Sequence, residues 1–188
     1  MQIADLDPAD EHMLHALATL LLEGFREIAP TAWPDLESAR AEVRAALDPE
    51  RLNRVATGDN GDVLGWIGGI SQYGGRVWEV HPLVVAGAFR RRGIGRALVA
   101  DLEARAGARG GLTLLVGTDD ETGQTSLSGV DLYDDLPRRL DTVRNLRCHP
   151  FGFYRRLGFA MVGVVPDANG PGKPDILMAK RIARSHPT

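Results

Sequence analysis

The sequence predicts an α/β (α+β) protein built on a mixed, mostly antiparallel sheet flanked by helices. Three observations carry that class. Between residues 53 and 85, runs rich in valine, isoleucine and tryptophan are separated by glycine-rich turns, the pattern of an antiparallel meander. A helical pattern then separates the meander from a short continuous apolar run at 112–117, so the helix crosses over between two strands expected to be parallel. Two amphipathic helical patterns precede the meander and would cover one face of the sheet. With 188 residues, 44% hydrophobic and 25% charged, one domain spanning 1–188 with a substantial core is expected.

The elements follow in order. Residues 3–7 form a short first strand; Pro8, Asp10 and Glu11 then open a capped helix carrying Met13, Leu14, Leu17, Leu20 and Leu21 on one face. A second helix is expected at 36–47. Strands follow at 53–57, 63–71 and 76–85, turned by Gly58 to Asp62 and by Gly74-Gly75. A helix runs to about Arg109, and Gly110-Gly111 leads into the apolar strand. Residues 118–148 are polar, carry Asp119, Asp120, Glu121, Asp131, Asp134 and Asp135, and are expected to hold a short helix within a long loop; such loops are often functional. His149-Pro150 precedes a helix with Phe151, Phe153, Tyr154 and Leu157 that Gly158 ends, and strands at 159–165 and 175–180 complete the chain.

Composition narrows the function classes. The formal charge of −3 argues against a general nucleic-acid binder. No run of eighteen apolar residues and no basic, then apolar, leader is present, so neither a membrane partner nor a signal peptide is expected and the default location is cytoplasmic. The lone Cys148 makes no intrachain disulfide and is expected to be a buried structural thiol. His12 and His15 have a spacing that a metal could use, but no third ligand stands near them, so no metal is expected.

The run Arg90-Arg91-Arg92-Gly93-Ile94-Gly95-Arg96-Ala97 sits where a strand gives way to a helix. Glycines let the backbone turn with its N–H groups facing inward, and the helix aims the positive end of its dipole at the turn, so an anion would be stabilised there. A P-loop requires Lys and then Ser or Thr after the second glycine, where Arg96-Ala97 stands; a Rossmann fingerprint requires Gly or Ala where Leu98 stands. Arginine-rich stretches are also common as plain solvated faces.

The spacing Arg90, Gly93, Gly95 resembles the pyrophosphate signature of GNAT-type acyl-coenzyme A N-acyltransferases. The order of elements, with Phe153-Tyr154-Arg155-Arg156-Leu157-Gly158-Phe159 near the end, resembles the GNAT fold over nearly the whole chain. Several stretches resemble the intrinsic chromosomal aminoglycoside 6'-N-acetyltransferases: Gln72-Tyr73-Gly74, Trp78 to Val85, Gly117 to Asp120, Asn145 to Arg147 with His149-Pro150, Val162 to Gly170, and Lys173 to Ile176. Residues 24–38 keep Trp33-Pro34 before an acidic residue but otherwise match poorly. The resemblance implies a sheet splayed beside the coenzyme site, acetyl-coenzyme A as co-substrate without a metal, direct transfer to the 6'-amine in a ternary complex, antibiotic resistance, and a homodimer. Alternatives are acetylation of another cationic amine, such as a polyamine, small metabolite or protein, and a non-catalytic coenzyme A-binding module.

Thioester aminolysis needs a held donor, a deprotonated amine, a stabilised oxyanion and a proton for the thiolate. The donor would be held by Arg90, Arg91, Arg92, Gly93, Ile94, Gly95, Arg96 and Ala97, with Val84, Val85, Thr118, Asp119 and Tyr154 along its arm. Glu79 and His81, two apart on a strand, share one face, opposite Trp78 and Val80. Glu79 could attract the ammonium and accept its proton; a strand-end salt bridge would use the same residue. Pro82 should interrupt strand pairing. The resemblance assigns thioester-carbonyl binding to the backbone N–H groups of Leu83 and His81, and proton return to Tyr154, which otherwise reads as a core aromatic. Trp33, Tyr73, Glu79, His81, Asp119, Asp120 and Asp175 are the expected acceptor-binding residues, and the acidic loop suits a polycation.

Overall fold

The computed structural model describes residues 1–182. The chain forms two compact units: one comprises residues 1–27, 31–114 and the segment from Arg181, the other residues 28–30 and 115–180.

In the first unit, β1 (Gln2–Asp5), β2 (Leu52–Thr57), β3 (Val63–Gln72) and β4 (Val77–Val85) lie in that order, each antiparallel to the next. α1 (Glu11–Phe25) starts where Asp10 accepts from the Met13 N–H at 2.9 Å. α2 (Leu36–Ala46) starts with a reciprocal Asp35/Ser38 capping box, which satisfies two otherwise orphaned groups at its first turn. Leu17, Leu20 and Leu21 of α1 and Ala39, Val43 and Ala46 of α2 close over Val55, Trp66 and Val84 of the sheet; each such leucine contributes about 1.5–3 kcal/mol by burial. α3 (Ile94–Ala108) covers the opposite face, where glycines at 65 and 69 make room for Leu98 and Leu102. Arg54, 3% exposed, binds Asp101 of α3 at 2.6 Å and Asp5 of β1 at 2.5 Å; a buried guanidinium is tolerable only with such partners.

β4 is the element that positions chemistry. Ile67 pairs with Leu83 and Gly69 with Val80, so β4 spends one more residue than β3 across this interval, and the extra residue falls at His81-Pro82, a cis peptide. A side chain at Gly68 would collide with the His81 carbonyl oxygen, which explains the glycine. The bulge predicted from Pro82 is therefore present, and it changes which face the strand presents: Trp78 packs beside Gly69 and Leu102 on the α3 side, whereas Val84 reaches Gly24 of α1 on the other.

The second unit holds most of β5 (Thr113–Asp119), α4 (Leu136–Asp141), α5 (Phe151–Arg156), β6 (Ala160–Val165) and β7 (Asp175–Arg181). β7 lies between β5 and β6, antiparallel to β6. Gly158, at φ +88°, ends α5, as its sequence position predicts, and the turn seats Phe159 against Tyr154, ring centroids 5.2 Å apart.

The long polar segment does contain a short helix, and it is tied down rather than loose: Ser126 N–H donates to Arg144 O at 3.1 Å and Leu146 N–H to Gln124 O at 2.8 Å. Cys148 corrects one expectation. It is exposed, at φ +61°, because Asn145 holds the following residue in place and turns the cysteine outward.

Candidate active site

The anion turn is built by left-handed backbone. Arg91 at φ +63° and Gly93 at φ +86° swing the chain from the end of β4 into α3, whose first intrahelical bond runs from Ala97 N–H to Gly93 O at 3.0 Å. The amides of Ile94, Gly95 and Arg96 are thus the helix's opening donors, with the dipole behind them. Arg91, Arg92 and Arg96 are exposed, and the Arg92 guanidinium lies 5.3 Å over the Phe89 ring. Two expected ligand contacts are used by the fold itself. Arg90 donates to Val85 O and Gly24 O, both at 3.2 Å, fastening the turn to the end of α1; Ala97 has given its N–H to Gly93. Val84 is buried and Val85 half-buried at the strand end.

On β4, Trp78 and Val80 are buried while Glu79 and His81 are only half-buried, the shared polar face the alternation predicted. Gln72 Nε2 makes a short hydrogen bond to Glu79 Oε2, which fixes the carboxylate from the neighbouring strand. His81 Nε2 lies 3.5 Å from Glu42 Oε1, and its ring sits 5.7 Å from that of Trp33. Trp33 in turn meets Phe25 edge to face at 4.7 Å. The structure therefore gathers Trp33, His81 and Glu42, with Glu79 on the same face of the strand. Leu83 follows the bulge, half-buried. Tyr73 stands at the hairpin tip, 74% exposed and at φ +49°.

In the second unit the carboxylates at the end of β5 are engaged. Asp119 Oδ1 accepts from Asn169 Nδ2 at 2.6 Å. Asp120 is fully buried, and its two oxygens accept from Gln124 N–H at 2.6 Å and Thr125 N–H at 2.8 Å. That corrects its expected role: Asp120 builds the loop and presents no oxygen to an acceptor. Thr118 is buried and donates to Ile176 O at 3.0 Å. Asp175 lies against Gly117, where a side chain would strike its carboxylate. Tyr154 is 5% exposed between Phe153 and Phe159, and burial pushes its phenol above the ordinary range, keeping it protonated at neutral pH.

The roles of three residues escape a sequence reading, although two of them, Asn145 and His149, lie in a stretch that the family resemblance marks. Glu42 owes its place to helix packing. His149, 1% exposed, accepts from Phe151 N–H at Nδ1 and donates from Nε2 to Asp119 O at 3.0 Å; burial lowers its pKa, against the pull of Asp119 and Asp120. Asn145 brackets His149 with two 2.8 Å bonds to its backbone, which gives the Asn145 to Pro150 stretch a loop-pinning function. His15 faces Arg40 at 3.1 Å, and among the described residues no group of three or more His, Cys, Asp or Glu could hold a metal. No helix among them is long and apolar enough to cross a membrane.

Residues 14–128 match the family described as Acetyltransferase (GNAT) family. Among solved structures, the chain is similar to an aminoglycoside 6'-N-acetyltransferase complexed with coenzyme A, at 39% identity over 100% of both chains and TM-score 0.89. It is similar to the aminoglycoside 6'-N-acetyltransferase from Enterococcus faecium at 40% identity, again over 100% of both chains, TM-score 0.88. An aminoglycoside 6'-acetyltransferase type Ii follows at 36% identity, covering 97% of this chain and 98% of that one, TM-score 0.74. A comparison with curated proteins gives no significant match.

Proposed function

The chain belongs to the GNAT acetyltransferase family, and from that premise we propose that it moves acetyl from acetyl-coenzyme A to the 6'-amine of aminoglycosides by direct attack. The observation that carries the acceptor is likeness at 39% and 40% identity over the whole of two aminoglycoside 6'-N-acetyltransferases. The same end-to-end coverage supports residues 1–188 acting as one acetyltransferase domain.

The turn fits a pyrophosphate: Ile94, Gly95 and Arg96 supply amides, and Arg91, Arg92 and Arg96 supply charge that is exposed. The thioester carbonyl falls to the backbone N–H groups beside the β4 bulge, at Leu83 and His81. Glu79 draws in the ammonium and accepts its proton, a contribution of about 10²–10⁴ in rate. Tyr154, at the place where the family resemblance puts a tyrosine near the coenzyme sulfur, is the group that returns a proton to the thiolate, although its burial makes it a weaker acid than a free phenol. Trp33 and Tyr73 offer apolar and polar surface to sugar rings, while the exposed Asp131, Asp134 and Asp135 give the chain acidic surface that attracts a polycation. Drug resistance, a cytoplasmic location where acetyl-coenzyme A is made, and a homodimer complete the reading.

Purified protein given acetyl-coenzyme A and a panel of aminoglycosides, polyamines and peptide N-termini, followed by thiol release, tests it. Aminoglycosides should turn over best. Turnover confined to the other amines would replace the substrate, and coenzyme binding with no turnover would replace the enzyme by a binding module.

A further inference from the structure

The last turn of α1, Leu22 to Phe25, carries no basic residue, and the final carbonyls of a helix have no intrahelical donor. Arg90, the first residue of the arginine-glycine turn, supplies one. Its Nη2 donates to Gly24 O and its Nε to Val85 O, both at 3.2 Å, so one planar guanidinium joins the end of α1 to the end of β4. The helix dipole also favours a cation at this end. The two elements touch directly as well, because Val84 packs so closely on Gly24 that a side chain there would strike it. Phe25 follows at once, and its ring meets Trp33 edge to face at 4.7 Å. Trp33 lies in turn 5.7 Å from the His81 ring. The arginine-glycine turn does not need this guanidinium to keep its path: Ala86 N–H donates to Leu64 O at 2.9 Å and Phe89 N–H to Ala86 O at 2.8 Å, while α3 is seated by the buried Ile94, Leu98 and Leu102.

We propose that Arg90 is a positioning residue for the amine acceptor: by clipping the last turn of α1 to β4 it holds Phe25, and through Phe25 it holds the Trp33 wall beside the Glu79 and His81 face. Without the clip the end of α1 frays, since a helix terminus opens at little cost, and the Trp33 wall loosens with it. The amides of Ile94, Gly95 and Arg96 keep their place, because backbone bonds and the packing of α3 set them. A residue whose spacing in the chain points to the coenzyme therefore acts on the other substrate. The inference rests on the acetyltransferase reading.

The test combines steady-state kinetics with indole ¹H–¹⁵N NMR on the full chain, using as acceptor whichever amine the wild type acetylates best. The chain has three tryptophans, Trp33, Trp66 and Trp78, and the Trp33 signal is the one missing in Trp33→Phe. Arg90→Met, which keeps most of the side chain's length but no donor, should raise KM for the acceptor about fivefold or more and leave KM for acetyl-coenzyme A within about twofold. It should also shift the Trp33 signal while those of Trp66 and Trp78, buried in the sheet core, stay in place and report an intact fold. Arg90→Lys, which keeps the charge and a donor, should recover part of the acceptor KM. A rise in KM for acetyl-coenzyme A as large as that for the acceptor would make Arg90 a ligand of the donor and overturn the assignment. So would an unmoved Trp33 signal, a shift of all three indole signals, or an Arg90→Lys variant no better than Arg90→Met. Wild-type protein inactive with every amine would refute the acetyltransferase reading itself, and the Trp33 signal would still report whether Arg90 holds the wall.

Discussion

The β4 face and the loop after β5 use their carboxylates in opposite ways. On β4, Glu79 is half-buried and held by one neighbouring side chain, and Glu42 is aimed across at His81. After β5, Asp120 is sealed in and both of its oxygens satisfy backbone N–H groups, while Asp119 is tied to Asn169 and its carbonyl to His149. The first arrangement keeps charge available to a ligand; the second uses charge to hold a long loop in one conformation. Acidity along a sequence is therefore a poor guide to acidity offered by a surface, because a carboxylate's worth to a ligand depends on which donors already occupy it.

Substitutions at the two places should separate them. Glu79→Gln should lower turnover about 10²–10⁴-fold while coenzyme affinity and the thermal midpoint stay near wild type, as read by kinetics, calorimetric titration and a melt. Asp120→Ala should instead cost about 3 kcal/mol of stability in urea unfolding, since it strips two charge-assisted acceptors from buried amides. If Asp120→Ala were stable and merely lost acceptor affinity, the contrast would collapse. A smaller effect comes from His149. Its pKa is lowered in the fold from an ordinary 6.5, so the unfolded chain binds the proton more readily. The stability that neutral His149 contributes is present above about 6.5 and is lost as pH falls below it. His149→Gln should flatten that acid-side slope in unfolding measured across pH 5–7, and an unchanged slope would assign it elsewhere.

Much of the frame was legible because it depends on local chemistry. Gly93 and Gly158 both sit at positive φ, where turn and helix-end positions required them, and alternation along β4 separated Trp78 and Val80 from Glu79 and His81. Pro82 announced the bulge. What stayed hidden depends on contacts between distant segments. Glu42 carries no motif and reaches His81 only because α2 packs over β4. Arg90 reads like its neighbours but is spent on Gly24, far back in the chain. Cys148 is a local exception: it reads as a buried thiol, yet the bonds between Asn145 and His149, four residues apart, turn it outward.

The proposed division of labour is that the arginine-glycine turn selects the donor and the Glu79 face selects an amine at the 6' position. It is tested most directly with two aminoglycosides that differ only in bearing an amine or a hydroxyl at 6', each incubated with acetyl-coenzyme A and the product located by NMR. A single acetyl group on the 6' nitrogen of the first and no turnover of the second are the expected outcome. Acetylation of both at some other amine would contradict it.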